Sequence, residues 1–185
     1  MSKTWFISDT HFGHNNIIKF TDKDGNRTRP FDSIEEHDEM IIQNVNKVVR
    51  PEDRLYVMGD VAMKRKDIQQ VGKLNGRKKL IKGNHDIFKL EDYTPYFDDI
   101  VACRVYPEQG FIFTHIPIHP SNLEHRFKFN MHGHLHQNVV NNDLRYMNLC
   151  LEHTFMQPVD FNEIEARAAE RLVIMQLMQD SLISA

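Results

Sequence analysis

Residues 4–11, TWFISDTH, place a short apolar run directly before a polar Asp-x-His cluster, and the fold that we predict follows from this pattern. The same order recurs at residues 55–60 (LYVMGD), 79–86 (KLIKGNHD) and 111–115 (FIFTH). Short runs of β-branched and aromatic residues predict buried strands. In open α/β sheets, side chains that follow the carboxyl ends of the strands converge on one edge, where ligands bind. We therefore predict that these polar clusters form a single site.

Strands alternate with helical stretches along the chain, which predicts an α/β sandwich. Late in the chain the strands follow one another without long helices, so we expect a mixed sheet with antiparallel pairs. The predicted strands cover residues 4–8, 54–58, 79–81, 100–106, 111–114, 127–131 and 146–151. No repeat, low-complexity tract or linker divides the sequence, and residues 1–185 are predicted to form a single domain.

Three helices are predicted between the strands. The clearest covers residues 34–49, where Ser33 and Glu36 have the spacing of a capping box. Another covers residues 65–74 and is ended by Asn75-Gly76. A last helix begins after Asp160 and runs to about residue 178. Its predicted apolar face consists of Ile164, Ala168, Leu172, Met175 and Met178. The polar stretch 21–30 is predicted to be a surface loop.

Composition narrows the class of protein. Hydrophobic residues make up 41% and charged residues 26% of the chain, which is typical of globular proteins. No apolar run approaches the roughly 20 residues needed to span a bilayer, and the N-terminus lacks a signal-peptide pattern. We therefore expect a cytoplasmic protein without a membrane partner. The net charge of −3 argues against a nucleic-acid partner. Cys103 and Cys150 lie in apolar, strand-like stretches, which favours buried free thiols over a disulfide.

The chain is unusually rich in histidine, with 11 residues, most of them in short clusters that also contain Asp, Asn or Gly. This clustering indicates metal or proton chemistry. Seven side chains are candidate metal ligands: Asp9, His11, Asp60, Asn84, His115, His134 and His136. Seven ligands are too many for one four-coordinate zinc ion but suit two ions about 3.5–4 Å apart with a bridging carboxylate. Nitrogen and oxygen ligands without thiolate favour Mn²⁺, our first choice, or Fe, Ni²⁺ or Zn²⁺ over Ca²⁺.

The order D-x-H, G-D, G-N-H-[DE], H and G-H-x-H is complete over residues 9–136 and resembles that of the calcineurin-like metallophosphoesterases. Longer stretches resemble a subgroup of small bacterial and phage phosphoesterases: SDTHFGHNNII at 8–18, RPF at 29–31, LNG at 74–76, HGHLH at 132–136 and NLCLE at 148–152. The resemblance implies a four-layer α/β/β/α fold, a mixed-sheet sandwich flanked by helices, without a large cap domain.

The same resemblance implies a role for each residue of the predicted site. It assigns Asp9, His11 and His136 to the first ion, Asn84, His115 and His134 to the second, and Asp60 to both. His85 would face the substrate phosphoryl group as general acid or transition-state hydrogen-bond donor, with Asp86 helping to orient it. The implied reaction is in-line attack on phosphorus by a metal-bridging hydroxide, without a covalent phosphoenzyme.

Four residues beside these motifs are open between functional and structural roles. His14 is predicted either to contact substrate phosphate or support His11, or to cap a short helix over residues 15–20. Arg29 is a candidate for bidentate phosphate binding, with a cap or salt bridge as the alternative. His119, which the family pattern does not assign, is a candidate for lining the substrate cleft. We expect His132 to end a strand or make a supporting hydrogen bond rather than bind metal.

Three functions are compatible with these motifs. The first is a metal-dependent phosphoesterase acting on a small phosphomonoester or phosphodiester, with nucleotides among the candidates. The second is a nuclease on the same metal centre, which the acidic net charge and the lack of a DNA-binding module count against. The third is a non-catalytic metal-binding scaffold, which the retention of His85 and all seven ligands counts against. Oligomeric state is not predicted by the sequence.

Overall fold

The computed structural model describes residues 2–141 and 143–183. Its strands are β1 (Thr4–Ile7), β2 (Arg54–Val57), β3 (Arg77–Ile81), β4 (Asp99–Val101), β5 (Cys103–Tyr106), β6 (Phe111–Thr114), β7 (Phe129–His132), β8 (Tyr146–Asn148) and β9 (Val159–Asp160). The first sheet has the order β4-β3-β2-β1-β9, in which β1 to β4 are parallel and β9 is antiparallel. The second has the order β5-β6-β7-β8, with β5 antiparallel to β6 and the others parallel. The predicted mixed-sheet α/β sandwich is confirmed.

The helices are α1 (Ile34–Val48), α2 (Leu90–Tyr93) and α3 (Phe161–Ile183), with 3₁₀ helices at Ile17–Lys19, Arg65–Lys73, Pro120–Leu123 and Leu151–His153. The Ser33 hydroxyl caps α1 by accepting a hydrogen bond from the Glu36 amide at 3.1 Å. The Glu36 carboxylate accepts from the Asp32 amide at 3.0 Å, one residue before the position that a capping box would use. The helix predicted over residues 65–74 is present as a 3₁₀ helix.

Alternate residues of each strand in the first sheet face two different cores. Ile7, Leu55 and Val57 pack with Ile41 and Val45 of α1 on one side of this sheet. On its other side, a second cluster is buried between the two sheets: Phe6, Tyr56, Met58, Ile81, Phe111, Phe113, Phe129, Met131 and Met147. The rings of Phe6 and Phe113 stack across this interface with centroids 4.1 Å apart. Because both sheets are fixed against each other, the loops at their edges are fixed as well.

Several predicted elements differ from the structure. The strand predicted over residues 100–106 bends at Ala102, so β4 pairs in the first sheet and β5 in the second. The strand predicted over residues 146–151 ends at Asn148, whose side chain accepts a hydrogen bond from the Cys150 amide at 2.9 Å. The two-residue strand β9 was not predicted. Such short pairing depends on a distant partner strand rather than on local pattern.

Two predictions of burial were wrong. Only the first half of the predicted apolar face of α3 is buried, at Ile164 and Ala168, whereas Leu172 and Met178 are 44% and 57% exposed. Cys103 is exposed because β5 lies at the edge of its sheet, whereas Cys150 is a buried free thiol as predicted. Among the helices described, none combines the length and apolar character needed to cross a membrane.

Candidate metal centre

The predicted ligands lie beyond the ends of strands from both sheets. Asp9 and His11 follow β1, Asp60 follows β2 and Asn84 follows β3. The other three histidines come from the second sheet: His115 follows β6, and His134 and His136 follow β7. The backbone amide of His134 donates to both oxygens of the Asp9 carboxylate, at 3.2 and 3.1 Å. This contact joins the two sheets at the predicted site.

One group of possible metal ligands consists of Asp9, His11 and His136. The Oδ1 atom of Asp9 lies 3.9 Å from Nε2 of His11 and 4.0 Å from Nε2 of His136. All three ligand atoms lie within 4.8 Å of one another. Ligands at about 2.0–2.2 Å from a central ion have separations of this order, so the group can hold a metal ion.

A second group consists of Asp60, His115 and His134. Nε2 of His115 lies 3.3 Å from Oδ2 of Asp60 and 2.9 Å from Oδ1 of Asn84. The other ring nitrogen of His115 lies 2.8 Å from the Met58 carbonyl, and this contact holds the ring with Nε2 directed at the other ligands. The carboxamide oxygen of Asn84 therefore adjoins the second group.

Asp60 lies between the two groups, in the position predicted for a bridge. Its Oδ2 atom is 3.8 Å from Nε2 of His11 and 3.3 Å from Nε2 of His115. Burial raises the pKa of Asp60, but the hydrogen bond and charge of His115 outweigh it and lower the pKa to about 2. For His115 burial lowers the pKa, and Asp60 and Asp9 outweigh it and raise the pKa to about 9. The second group therefore contains an ionised carboxylate over the whole physiological range.

His11 gives an independent indication of a metal ion. The residue is only 3% exposed, and neither of its ring nitrogens has a hydrogen-bond partner within the described residues. Its burial, followed by the charge of Arg29, holds its pKa well below the ordinary value, so the ring is neutral. A buried imidazole without a partner is costly. A neutral ring nitrogen facing two carboxylates across nearly 4 Å is suited to metal coordination.

Backbone strain is concentrated at the predicted ligands. In the part of the chain that the structure describes, seven non-glycine residues have positive φ. Five of them are predicted metal ligands: Asp9 (58°), His11 (47°), Asp60 (52°), His134 (69°) and His136 (49°). Left-handed conformations are rare outside glycine and persist where the surrounding structure enforces them, often at functional sites. The fold therefore forces these side chains toward one point.

The glycines of the motifs are required by close packing around the ligands. A Cβ atom on Gly83 would meet the Asp60 amide nitrogen at 2.5 Å, and one on Gly133 would overlap Ser8 Oγ and Asp9 Oδ2. Gly59, with φ of 85°, would place a Cβ 2.5 Å from Nδ1 of His115. The glycines before Asp60, Asn84 and His134 thus leave room for a neighbouring carboxylate or imidazole.

A buried polar network lies behind the first ligand group. Oε1 of Glu152 lies 3.0 Å from Nδ1 of His136 and accepts a hydrogen bond from Nε of Arg29 at 2.9 Å. Arg29 also donates to the Asp9 carbonyl at 2.8 Å and lies 3.1 Å from Nε2 of His37. The resemblance of residues 148–152 to the phosphoesterases included Glu152, but the sequence did not indicate that it supports His136.

The prediction that Arg29 binds substrate phosphate is wrong. Arg29 is fully buried, and its guanidinium contacts Glu152, His37 and the Asp9 carbonyl. The structure shows the alternative role that we gave for Arg29, a salt bridge, which it makes with Glu152. Its charge lowers the cost of the buried Glu152 carboxylate and, through the Asp9 carbonyl, fixes the strained turn after β1.

Two side chains besides the ligands also contact Asp9. The Ser8 hydroxyl donates to Oδ2 of Asp9 at 2.5 Å, and the Cys150 thiol donates to the same oxygen at 3.1 Å. Burial, followed by the nearby charge of Asp9, keeps the pKa of Cys150 well above its ordinary value. Cys150 is therefore a neutral donor that orients the carboxylate. No local pattern distinguished it from an ordinary core residue.

His85 and Asp86 have different surroundings. His85 is exposed, its amide donates to Oδ1 of Asp60 at 2.9 Å, and its ring lies 5.9 Å from the His11 ring. Asp86 is buried and accepts from the amides of Asp60, Val61 and Gly83 at 2.8–3.0 Å. Asp86 is thus a positioning residue for the turns around the site and acts on His85 only through the backbone.

The remaining histidines of the prediction lie in three different settings. The His14 ring lies 5.7 Å from the His11 ring, beside the site, whereas its cap to the following helix is made by the backbone carbonyl. His119 is exposed and caps the helix at Pro120–Leu123 by accepting from the Ser121 amide at 3.3 Å. Its contacts therefore lie within its own loop rather than at the metal groups. His132 ends β7, and its Nδ1 lies 2.8 Å from the Gly133 carbonyl, as predicted.

Two open cavities flank the ligand groups. One, of about 310 Å³, is lined by Asn84 and His115. The other, of about 530 Å³, is lined by His134 and His136 together with Lys19, Phe20, Thr21 and Thr28. The Phe20 side chain is 49% exposed, and its ring lies 6.1 Å from the His14 ring. A small molecule can therefore approach the site from solvent past an aromatic face.

Known proteins similar to this chain were found by sequence and by structure. Uncharacterized protein MJ1445 of Methanocaldococcus jannaschii is 32% identical over 177 residues, which cover 89% of this chain and 90% of that protein. The chain belongs to the family of this archaeal protein. Gene 66 protein of Mycobacterium phage L5 is 34% identical over 91 residues, 46% of this chain and 41% of the phage protein. No family model matches the sequence.

Two solved structures are similar. AQ665 from Aquifex aeolicus, a protein of unknown function, is 27% identical, with a TM-score of 0.70 over 90% of this chain and 99% of that chain. This chain and AQ665 therefore share the fold over nearly their whole lengths. A novel archaeal phosphodiesterase has a TM-score of 0.45 at 19% identity, over 80% of this chain and 82% of that chain. The last similarity is too low to support an argument about activity.

Proposed function

We propose that this protein is a metal-dependent phosphoesterase of the calcineurin-like type that hydrolyses a small phosphomonoester or phosphodiester. The observation that carries the proposal is the buried His11 ring. Neither of its nitrogens has a hydrogen-bond partner among the described residues, and its Nε2 lies near the carboxylates of both Asp9 and Asp60. The ligand set contains nitrogen and oxygen donors from both groups, which favours Mn²⁺, Fe, Ni²⁺ or Zn²⁺. Two such ions, when bound, would lower the pKa of water and neutralise charge on the phosphoryl oxygens.

The side chains around the ligands would bind the substrate and transfer a proton. His85 is exposed beside His11, and its backbone is held by Asp60. Its imidazole would donate a proton or hydrogen bond to the leaving oxygen, which accelerates such reactions by roughly 10²–10⁴-fold. His14, whose ring lies 5.7 Å from the His11 ring, would donate to a phosphoryl oxygen. We assign no covalent nucleophile.

The cavity beside His134 and His136 supports a substrate with a flat, apolar leaving group. Phe20, which is 49% exposed, lines this cavity, and Lys19 adds a positive charge to its wall. Aromatic rings stack on the faces of other rings, including nucleobases. A nucleotide, with its phosphate at the ligand groups and its base against Phe20, fits these contacts.

Hydrolysis of p-nitrophenyl phosphate and bis-p-nitrophenyl phosphate by the Mn²⁺-loaded protein tests the proposal. We expect turnover that is lost on chelation, and we expect His85→Ala to lower kcat by about 10²–10⁴-fold with the bound metal unchanged. His119→Ala, a surface histidine outside both ligand groups, is the matched control and should retain full activity. Absence of turnover with every divalent metal would refute the proposal. Preferential cleavage of DNA or RNA in the same preparation would favour the nuclease instead.

A further inference from the structure

A third cavity, separate from the two beside the ligand groups, lies between β8, the loop before it and α3. Its volume is about 750 Å³, within the range of about 300–1,000 Å³ that is usual for small-molecule sites. Apolar residues cover most of its wall: Val139, Val140, Leu144, Tyr146, Ile174 and Met178. Val139, Ile174 and Met178 are about half exposed. The cavity is therefore an open apolar groove against the second half of α3.

Two imidazoles lie in the wall of this cavity with unsatisfied nitrogens. Nε2 of His132 and Nε2 of His153 are both buried, and neither has a hydrogen-bond partner within residues 2–141 and 143–183. His132 as a whole is 1% exposed. Its Nδ1 lies 2.8 Å from the Gly133 carbonyl, and because a carbonyl accepts, Nδ1 carries the proton. Nε2 of His132 is then a lone-pair acceptor that requires an N–H or O–H donor.

The same wall contains a guanidinium group without a carboxylate partner. Nη1 of Arg171 donates to the carbonyls of Leu144 and Tyr146, which are neutral acceptors. No ion pair of Arg171 occurs among the residues that the structure describes, whereas its neighbour Arg167 pairs with Glu163. Burial, and then the charge of Arg167, lower the pKa of Arg171. A partly buried positive charge of this kind favours an anionic partner.

We propose that this cavity is a binding site for a small amphipathic anion that carries an N–H or O–H donor. Its apolar body lies against Val140 and Ile174, its anionic group pairs with Arg171, and its donor bonds to Nε2 of His132. The apolar wall, the Arg171 guanidinium and Nε2 of His132 each receive a complementary group, whereas Nε2 of His153 receives none. Neither the ligand groups nor His85 takes part, so this site is independent of the proposed phosphoesterase activity.

The dye 1-anilinonaphthalene-8-sulfonate is a suitable probe because it combines apolar rings, a sulfonate and one N–H donor. Titration of the metal-loaded full chain, followed by fluorescence and calorimetry, should show one saturable site per chain. Its neutral analogue N-phenyl-1-naphthylamine, which lacks the sulfonate, should bind at least about tenfold more weakly. Arg171→Gln should remove this difference, since the guanidinium is the group that selects the anion.

Two adjacent exposed residues of α3 provide a matched pair of variants. Ile174→Glu places a carboxylate in the cavity and should raise the Kd of the dye at least about tenfold, whereas Val173→Glu, outside the cavity wall, should leave it within about twofold. Because both side chains are exposed, both variants should fold, which circular dichroism verifies. Equal loss in the two variants, non-saturable binding or no preference for the sulfonate would overturn the proposal. Dye binding that is lost when chains associate would instead identify the groove as an interface between copies.

Discussion

At the scale of single residues, the site depends on side chains that are held in unfavourable backbone conformations. Asp9, His11 and Asp60 have positive φ, and the turns that carry them are fixed by contacts that the chain makes elsewhere. The Arg29 guanidinium bonds the Asp9 carbonyl, and the Asp86 carboxylate bonds the Asp60 amide. These contacts within the protein hold the ligand side chains in place, which reduces the conformational cost of metal binding.

We expect Gly133→Ala to destabilise the protein, because the added methyl group would overlap Ser8 and the Asp9 carboxylate. Overpacking of this kind costs about 1–3 kcal/mol, measurable by urea unfolding of the metal-free protein. Gly72→Ala is the control: its methyl group would meet only the Tyr96 ring, at 3.4 Å, and it should stabilise by up to about 1 kcal/mol. Equal stability of Gly133→Ala and the unmodified chain would contradict the packing argument.

We expect Phe20→Ala to lower kcat/KM for nucleotide substrates by about 5- to 150-fold, since stacking contributes about 1–3 kcal/mol. Glycerol phosphate and methyl phosphate, which have no ring, should be hydrolysed at an unchanged rate. Phe20→Tyr, which keeps the ring, is the matched control and should retain the preference. A uniform loss for all substrates would show that Phe20 supports the fold of its loop rather than binding a base.

At the scale of elements, Asp53 joins the starts of β1 and β2. The buried carboxylate accepts hydrogen bonds from the amides of Lys3 and Arg50, at 2.7 and 3.0 Å, and from the Trp5 indole at 3.4 Å. Burial raises the pKa of Asp53, but these hydrogen bonds outweigh it and hold the pKa below the ordinary value of 3.8. The register of the first sheet, which aligns the ends of β1 and β2, depends on this contact.

The stabilisation from Asp53 should depend on pH. Because its pKa is lower in the folded protein, ionised Asp53 contributes fully above about pH 4 and loses its contribution as the pH falls through the folded pKa. Asp53→Asn should therefore lower the free energy of unfolding at pH 7 by about 1–3 kcal/mol, with a smaller effect near pH 2. The adjacent exposed variant Glu52→Gln should change it by less than about 0.5 kcal/mol at either pH. A pH-independent difference would contradict the assigned role.

At the scale of the whole molecule, the two sheets share one ligand set. Asp9 and Asp60 follow strands of the first sheet, whereas His115, His134 and His136 follow strands of the second. Between the sheets lies the aromatic core around Phe6 and Phe113, which fixes their relative position. Ions bound by these ligands would therefore connect the two sheets. They would stabilise the folded state and not the unfolded state, in which the ligands are far apart.

We expect the protein to bind two divalent ions per chain and to lose thermal stability when they are removed by chelation. At a free metal concentration of about 100 times the Kd, one site contributes about 2.7 kcal/mol. Asp60→Asn should abolish most of this gain while leaving the metal-free protein stable, since it removes a bridging charge. Asp99→Asn, at the exposed ion pair with Lys79, should retain the full gain. Metal-independent melting would argue against the centre.

The sequence by itself determined the positions of the site, because local patterns place a polar cluster after each apolar strand. The ends of β1, β2, β3 and β6 agree with it to within about two residues, as does the capped start of α1. All seven predicted ligands adjoin the two groups or Asp60, although their binding of metal stays a prediction.

Only the tertiary structure decided which polar residues face solvent and which support the site from behind. Arg29 is a buried partner of Glu152, the stretch around Ala102 passes from one sheet to the other, and half of α3 is exposed. These features depend on contacts between residues far apart in sequence, and burial, pairing and desolvation are set by such contacts rather than by neighbouring residues. The periodic residue pattern of a single strand or helix contains no information about these distant contacts.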